Sequence, residues 1–346
     1  MPNALNKQLR LEKCLRSIPQ APYPFQSRVH PLKSFHFPSL SCFVKREDEL
    51  GFGISGSKIR KYRTLIPFLL AEEIKEVVIV GSAYSNHVLG ITQLLLENGL
   101  VPTLFVRGNP RRELTGNAFL STLLVPPSSI HWFSKQDWAS AEEQAHLYAQ
   151  KRPHKAFVLP EGGCLTASLP GALTLPLDIL RNEQERDLSF DHLFIDSGTG
   201  LTAIALILAY SWLEKPAQIH VVLMADTSAY FLDQLSHFHA HFLHLMQIEE
   251  MPLLHNFHLY YPQKTPRFGQ INQSLFQDII GLARLEGFLT DPVYTIKLFR
   301  EAKRIIGEQS LQGNALILHS GGALTLMGFE EQLKAALNES YSQNGH

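Results

Sequence analysis

The run His192-Leu193-Phe194-Ile195-Asp196-Ser197-Gly198-Thr199-Gly200-Leu201-Thr202-Ala203-Ile204-Ala205-Leu206 passes from a short apolar stretch, through small polar residues, into a long apolar one. It reads as a strand, a tight Gly/Ser/Thr loop and a buried helix. The same unit recurs along the chain. Val- and Ile-rich strands are expected at 77–80, 103–106, 130–133, 156–159, 192–195, 219–223, 259–261 and 316–319. Amphipathic helix-length segments lie between them, at 86–98, 141–150, 273–286 and 295–307. Strand alternating with helix predicts an α/β fold with parallel, twisted sheets flanked by helices. The continuous apolar character of the strands suits sheets covered on both faces. The opening, with Pro19, Pro22, Pro24, Pro31 and Pro38, reads as an extended arm before the first element.

Four of the expected strands end in small or polar residues: Gly81–His87, Glu161–Gly163, Asp196–Thr202 and His319–Gly322. Ligands of open α/β sheets sit at the carboxyl ends of strands, so four such loops predict one shared site. Gly198, Thr199, Gly200, Leu201 and Thr202 are suited to an anion, because glycines let backbone N–H groups converge at a helix N-terminus. No lysine follows as in a Walker loop, and no third glycine follows as in a dinucleotide fingerprint. The loop therefore reads either as a seat for a small phosphomonoester or as a plain strand–helix turn.

Bulk composition excludes several classes. Lys plus Arg (31) and Asp plus Glu (32) nearly cancel, which leaves no field that would favour nucleic acid or an anionic membrane. Cys14, Cys42 and Cys164 are too scattered for a disulfide framework or a metal clamp, and they suit a reducing compartment. No signal peptide or membrane span is recognisable, so a cytoplasmic protein is expected. His237, His239, His241 and His244 could hold a metal in principle. Without the carboxylate of a His-Glu-x-x-His pattern they read as part of an ordinary amphipathic helix, with 237, 241 and 244 on one face, and no metal is expected.

Residues 44–62 read Val-Lys-Arg-Glu-Asp-Glu-Leu-Gly-Phe-Gly-Ile-Ser-Gly-Ser-Lys-Ile-Arg-Lys-Tyr. Alone, Lys58 in this stretch is a lysine after some glycines, and Lys45 and Lys61 read as solvated surface charges. A helix N-terminus, with Arg60 and Lys61 close by, would depress the pKa of Lys58 and favour a nucleophilic role. The stretch resembles the Val-Lys-Arg-Glu-Asp … Gly-Asn-Lys-x-Arg-Lys segment of the 1-aminocyclopropane-1-carboxylate deaminase and D-cysteine desulfhydrase family. Ser85-Asn86-His87, Gly116-Asn117, Pro160-Glu161-Gly162-Gly163 with Gly171-Ala172, Asp291-Pro292-Val293-Tyr294-Thr295 and His319-Ser320-Gly321-Gly322 follow in that family's order.

The resemblance implies a two-domain, fold type II pyridoxal-phosphate enzyme. A small domain over 60–165 would be inserted into a larger one made of 1–59 and 166–346, with the cofactor in the cleft. It also implies a small amino-acid substrate and a homodimer. By resemblance Lys58 carries the cofactor and moves protons at the substrate α-carbon. Ser85 sits near the reacting carbon, and Asn86 meets the 3′-oxygen of the pyridine. Tyr294 lies against the ring, and the 198–202 loop takes the phosphate. Ser320 or Thr295 faces the ring nitrogen, where a neutral hydroxyl would leave that nitrogen largely unprotonated. Independently of any family, Ser85 and Asn86 also suit the N-cap of a helix.

The chain departs from the pattern at Tyr84 (Gln in the family), Phe268 (Tyr), Thr295 (Glu in the deaminases), Ile296 (Gly) and Ser320 (Thr). These changes favour β-elimination from a D-amino acid such as D-cysteine over cyclopropane ring opening. They also leave open a protein that binds the cofactor with little catalysis. A plain phosphate- or nucleotide-binding module would use the 198–202 loop and leave Lys58 without a role.

Overall fold

The computed structural model describes residues 2–53, 56–111, 113–253 and 255–343. Among the described residues, ten strands form two sheets. They are β1 (Val29–Pro31), β2 (Leu40–Lys45), β3 (Glu76–Ser82), β4 (Val101–Arg107), β5 (Ile130–Phe133), β6 (Ala156–Leu159), β7 (His192–Ser197), β8 (Gln218–Leu223), β9 (Phe257–Tyr260) and β10 (Gly313–Leu318). The helices begin with α1 (Pro2–Arg16), α2 (Lys58–Ala71), α3 (Asn86–Glu97), α4 (Gly116–Leu124), α5 (Ala141–Gln150) and α6 (Leu169–Ala172). They continue with α7 (Thr174–Arg186), α8 (Leu201–Trp212), α9 (Ser228–Met246), α10 (Gln273–Glu286), α11 (Thr295–Gln309) and α12 (Glu330–Gln343).

One sheet has the order β1-β2-β10-β7-β8-β9 and the other β5-β4-β3-β6. All pairings are parallel except the edge pair β1–β2. The four-stranded sheet has its own core, where Val77, Ile79 and Leu104 meet Tyr62, Leu65 and Ile91 from α2 and α3. On the larger sheet one face packs against α8, which is buried along its whole length except at Thr202. The other face packs against α10 and α11 through Phe276, Ile279, Leu298 and Phe299. A helix apolar all round is what burial between layers requires.

The eight strands expected from apolar runs are all present, with ends shifted by up to three residues. Two things differ at the N-terminus. A helix, α1, precedes the Pro-rich arm and buries Leu11 and Leu15 in the larger core. Within the stretch expected to be an arm, β1 and β2 add an edge to the larger sheet, and β2 pairs with β10 at the far end of the chain. That partner is remote in sequence, so no local pattern announces the pairing.

How the arm docks follows from one proline. Pro67 lies inside α2 and has no N–H to give the carbonyl of Arg63. The freed Arg63 oxygen accepts instead from the backbone N–H of Ala21 at 2.7 Å, and the Arg63 guanidinium bonds the Tyr23 carbonyl and Gln20. The arm thus repairs a gap in the helix that carries Lys58.

Candidate active site

The carboxyl ends of β3, β7 and β10 open into one cleft of about 550 Å³. Its walls include Lys58, Lys61, Ser85, Asn86, Gly198 to Thr202, Tyr294 and Ser320. The structure therefore brings the sequence-predicted residues together, with Thr295 as the exception.

Lys58 is the first residue of α2, and its Nζ stands 5.9 Å from the Tyr294 ring centroid. Burial holds its pKa below the usual lysine value, while the Asp196 and Asp291 carboxyls pull it back up. Arg60 and Lys61 are not the cause that the sequence suggested. Arg60 turns away from the cleft into a buried network: its Nε donates to Glu47 at 2.6 Å and its Nη2 to Asp178 at 2.8 Å. Lys45 joins that network, donating to Asp178 at 2.6 Å and Asn182 at 2.7 Å. The surface-charge reading of Lys45 and Lys61 is thereby overturned, since both are buried. The glycine before Ser57 is needed for fit. Gly56 has φ +51°, and a methyl group there would overlap the Ser320 carbonyl oxygen, which accepts from the Ser57 N–H at 3.0 Å. Ser55, two residues earlier, lies outside the described residues.

Ser85 is the N-cap of α3 and accepts from the N–H of His87 at 3.1 Å and of Val88 at 3.4 Å. Asn86 is held by its oxygen, which accepts from Asn117 Nδ2 at 2.8 Å and Thr325 Oγ1 at 2.9 Å. Its amide nitrogen lies beside Gly322. The Gly198–Thr202 loop curls into α8 with Gly200 at φ +92°, and the first-turn residues Leu201, Thr202 and Ala203 of α8 line the cleft. Tyr294 packs over Gly198 and tilts against Phe268 at 6.1 Å. Tyr84 and Phe268, two of the departures, are both exposed at the cleft mouth.

Thr295 is fully buried and does not line the cleft. Its hydroxyl accepts from the Asp291 backbone N–H at 2.7 Å, which ties it into the start of α11. It is therefore not brought to face a ring nitrogen. The histidines of α9 lie away from the cleft; Phe238 and Phe242 take the buried face, and His239 Nε2 lies 2.9 Å from the Met251 carbonyl.

Sequence reading passed over four groups. Lys61 sits one turn after Lys58 on α2 and lines the same cleft; burial lowers its pKa to about 8, and the Cys164 thiol opposes that shift. Cys164 in turn donates to the Thr199 carbonyl, placing Lys61 beside the 198–202 loop. The i, i+3 spacing from Lys58 was a usable signal. His87 is buried with Nδ1 2.8 Å from the Tyr62 hydroxyl, and burial drives its pKa to about 3, so the ring is neutral. Asp196, at the end of β7, is pushed up in pKa by burial, with Lys58 and the Ser320 hydroxyl pulling down. Asp291 accepts from the Val293 and Tyr294 N–H groups at 2.7 and 2.5 Å, yet burial raises its pKa to about 7. Nothing local marks either aspartate, because each depends on what folds opposite it.

Among the buried oxygens without a hydrogen-bond partner in the described residues are Asp196 Oδ1, Ser197 Oγ and Asp291 Oδ2, all close to Lys58 or the 198–202 loop. Groups of this kind are costly unless a ligand satisfies them. With a buried lysine, an anion-binding loop and a stacking tyrosine, they fit a phosphorylated aromatic aldehyde.

No family model matches the chain. A Pyrococcus horikoshii protein named as a candidate 1-aminocyclopropane-1-carboxylate deaminase is 27% identical over 301 residues, covering 85% of this chain and 88% of its own. The mitochondrial bifunctional D-cysteine desulfhydrase/1-aminocyclopropane-1-carboxylate deaminase of Arabidopsis thaliana is 25% identical over 354 residues, covering 93% and 83%. The crystal structure of an ACC deaminase homologue superposes with a TM-score of 0.82 at 23% identity, over 94% of this chain and 99% of that one. Over most of its length the chain is thus similar to 1-aminocyclopropane-1-carboxylate deaminases and to a D-cysteine desulfhydrase, and it shares the fold of an ACC deaminase homologue.

Proposed function

We propose that the protein is a pyridoxal-phosphate-dependent lyase that deaminates a small amino acid, with β-elimination from D-cysteine as the first candidate. The observation that carries this reading is Lys58, a buried lysine whose amine is held below its usual pKa, facing Tyr294 in the cleft that also holds the 198–202 loop. When bound, the cofactor supplies an electron sink for the bond broken at the α-carbon. The chain's own residues do the rest. Lys58 holds the cofactor and then takes or returns the α-proton, and burial lowers the pKa of its amine from the usual lysine value, which favours that role. Tyr294 fixes the ring plane from one side, and Asn86, locked by Asn117 and Thr325, offers its Nδ2 hydrogens to the cleft. The 198–202 loop and Lys61 neutralise the phosphate.

Balanced for D-cysteine, one water is consumed and pyruvate, sulfide and ammonia are released. The cyclopropane substrate would give 2-oxobutyrate and ammonia, also at the cost of one water. Phe268 has no hydroxyl to move a proton in the cleft, and Thr295 is buried in backbone contacts, so neither supports ring opening. A second reading, a protein that holds the cofactor with little turnover, is favoured by the exposure of Tyr84 and Phe268 at the mouth.

A panel of D- and L-amino acids separates these readings. Pyruvate and sulfide from D-cysteine, abolished in Lys58→Ala, is the expected result. Release of 2-oxobutyrate from the cyclopropane substrate would move the assignment to the deaminase. Silence across the panel with the cofactor still bound would favour the carrier. The location and assembly proposed are cytoplasmic and homodimeric. Among the described residues, no helix is long and apolar enough to cross a membrane.

A further inference from the structure

The groups around Lys58 carry more charge than the sequence reading allowed. Lys58 is opposed by two carboxyls, Asp196 and Asp291, and Asp196 lines the cleft with one oxygen unpartnered. Ser320 follows β10, which pairs with β7, so its hydroxyl comes beside the Asp196 carboxyl. Asp291 is packed under Gly322, whose φ of +97° keeps a side chain out of the space that the Asp291 carboxyl and the Asn86 amide share. Asp196, Ser320 and Asn86 therefore line the cleft together with the 198–202 loop, while Gly322 and Asp291 are not part of its lining.

That placement has a consequence for charge. While Lys58 is a free ammonium, it compensates Asp196. Once its nitrogen is bonded to the cofactor, that ammonium is spent, and a buried carboxylate needs another donor. The cofactor's ring nitrogen lies para to the carbon that joins Lys58, on the rim between the phosphate arm and the 3′-oxygen. Asp196 and Ser320 line the same cleft as the phosphate loop and Asn86.

We infer that Asp196, beside Ser320, is the anionic partner of the cofactor's ring nitrogen and keeps that nitrogen protonated. This rests on the reading of the cleft as the pyridoxal-phosphate site. It reverses the expectation that a lone hydroxyl leaves the ring neutral and the electron sink weak. The Ser320 hydroxyl can donate to the Asp196 carboxylate and turn its lone pair to the ring N–H. Asp291, bonded to the backbone of its own turn, plays no part in holding that proton. The ionisable groups that act on Asp196 are Lys58 and Lys61 from α2, Tyr294 from the start of α11, and Asp291; Glu47, His87, Arg107, Glu161 and Asp226 line other parts of the cleft.

The experiment uses holoprotein loaded with pyridoxal phosphate labelled with ¹⁵N in the ring. Borohydride fixation first reports whether the cofactor is joined to Lys58; if it is not, the cofactor reading itself fails, and this inference with it. With the link established, the ring ¹⁵N resonance is expected at the protonated pyridinium position at neutral pH. It should move to the neutral pyridine position in Asp196→Asn and stay protonated in Asp291→Asn. A neutral ring in the wild type, a protonated ring in Asp196→Asn, or a shift confined to Asp291→Asn would overturn the inference while leaving the cofactor site intact. Should Asp196→Asn not fold, Asp196→Ser and a cofactor analogue with carbon in place of the ring nitrogen decide it. The wild type should bind the analogue about tenfold less tightly than pyridoxal phosphate, as loss of one charge-assisted hydrogen bond implies. Equal affinities would overturn the inference.

Discussion

Lys58 and Lys61 are three residues apart on one helix and stand in different surroundings. Both are stripped of water, so both lose part of their preference for the charged form. Lys58 faces carboxyls and the Tyr294 ring, whereas Lys61 lies beside Cys164 and the 198–202 loop, where an anion would restore its charge. Lys61→Ala should therefore weaken pyridoxal phosphate binding about tenfold while the bond to Lys58 still forms, because a charge-assisted contact to phosphate is lost and the amine at position 58 is untouched. Equilibrium dialysis together with borohydride fixation would check both halves. Unchanged affinity would remove Lys61 from the phosphate site. The motif around Lys58 was legible in the sequence through its order with the later motifs. Lys45 and Lys61 were misread as surface charges, because burial of a lysine is a property of its surroundings.

At the scale of elements, α2 is fixed at both ends of its first two turns. Arg60 is clamped by Glu47 and Asp178, Lys45 by Asp178 and Asn182, and Ser27 closes the network by donating to Glu47 at 2.6 Å. These groups come from the arm, β2, the turn after it, α2 and α7, so the cluster sets where Lys58 begins its helix. Such a network is weak evidence for net stability, but removing one partner leaves a buried charge uncompensated. Glu47→Ala should cost about 3–5 kcal/mol, since Arg60 and Lys45 would then share only Asp178. A urea titration would show this as a lower midpoint with an unchanged slope; a loss below about 1 kcal/mol would mean that water reaches the cluster. The helices and central strands were readable from period and apolar runs. Strands β1 and β2 were not, because β2 is held by β10 at the other end of the chain and β1 pairs only with β2.

For the molecule as a whole, acid response follows from histidines folded in the neutral state. His220 stacks on Phe194 with centroids 4.4 Å apart, bonds His192 and the Tyr260 hydroxyl at 3.2 Å each, and has its pKa driven by burial to about 3. Between pH 6.5 and about 3 the unfolded chain binds a proton at this position that the folded chain refuses, so this contribution to stability falls as pH falls. Asp291, held largely protonated up to about pH 7, works in the opposite direction, so the total slope mixes the two. Replacing His220 by Gln isolates one term: stability should depend less steeply on pH between 4 and 6, by about 1.4 kcal/mol per pH unit. Denaturant titrations of both proteins at several pH values would measure it, and parallel curves would contradict the buried neutral state. By itself the sequence determined the layers, the strand–loop–helix units and the candidate lysine, Lys58, because periodicity, glycine placement and motif order are local or ordered along the chain. Only the tertiary structure decided which groups surround that lysine. Asp196 and Asp291 become neighbours of Lys58 through packing between segments more than a hundred residues apart, Thr295 is tied to the Asp291 backbone four residues before it, and burial shifts the lysine and both carboxyls.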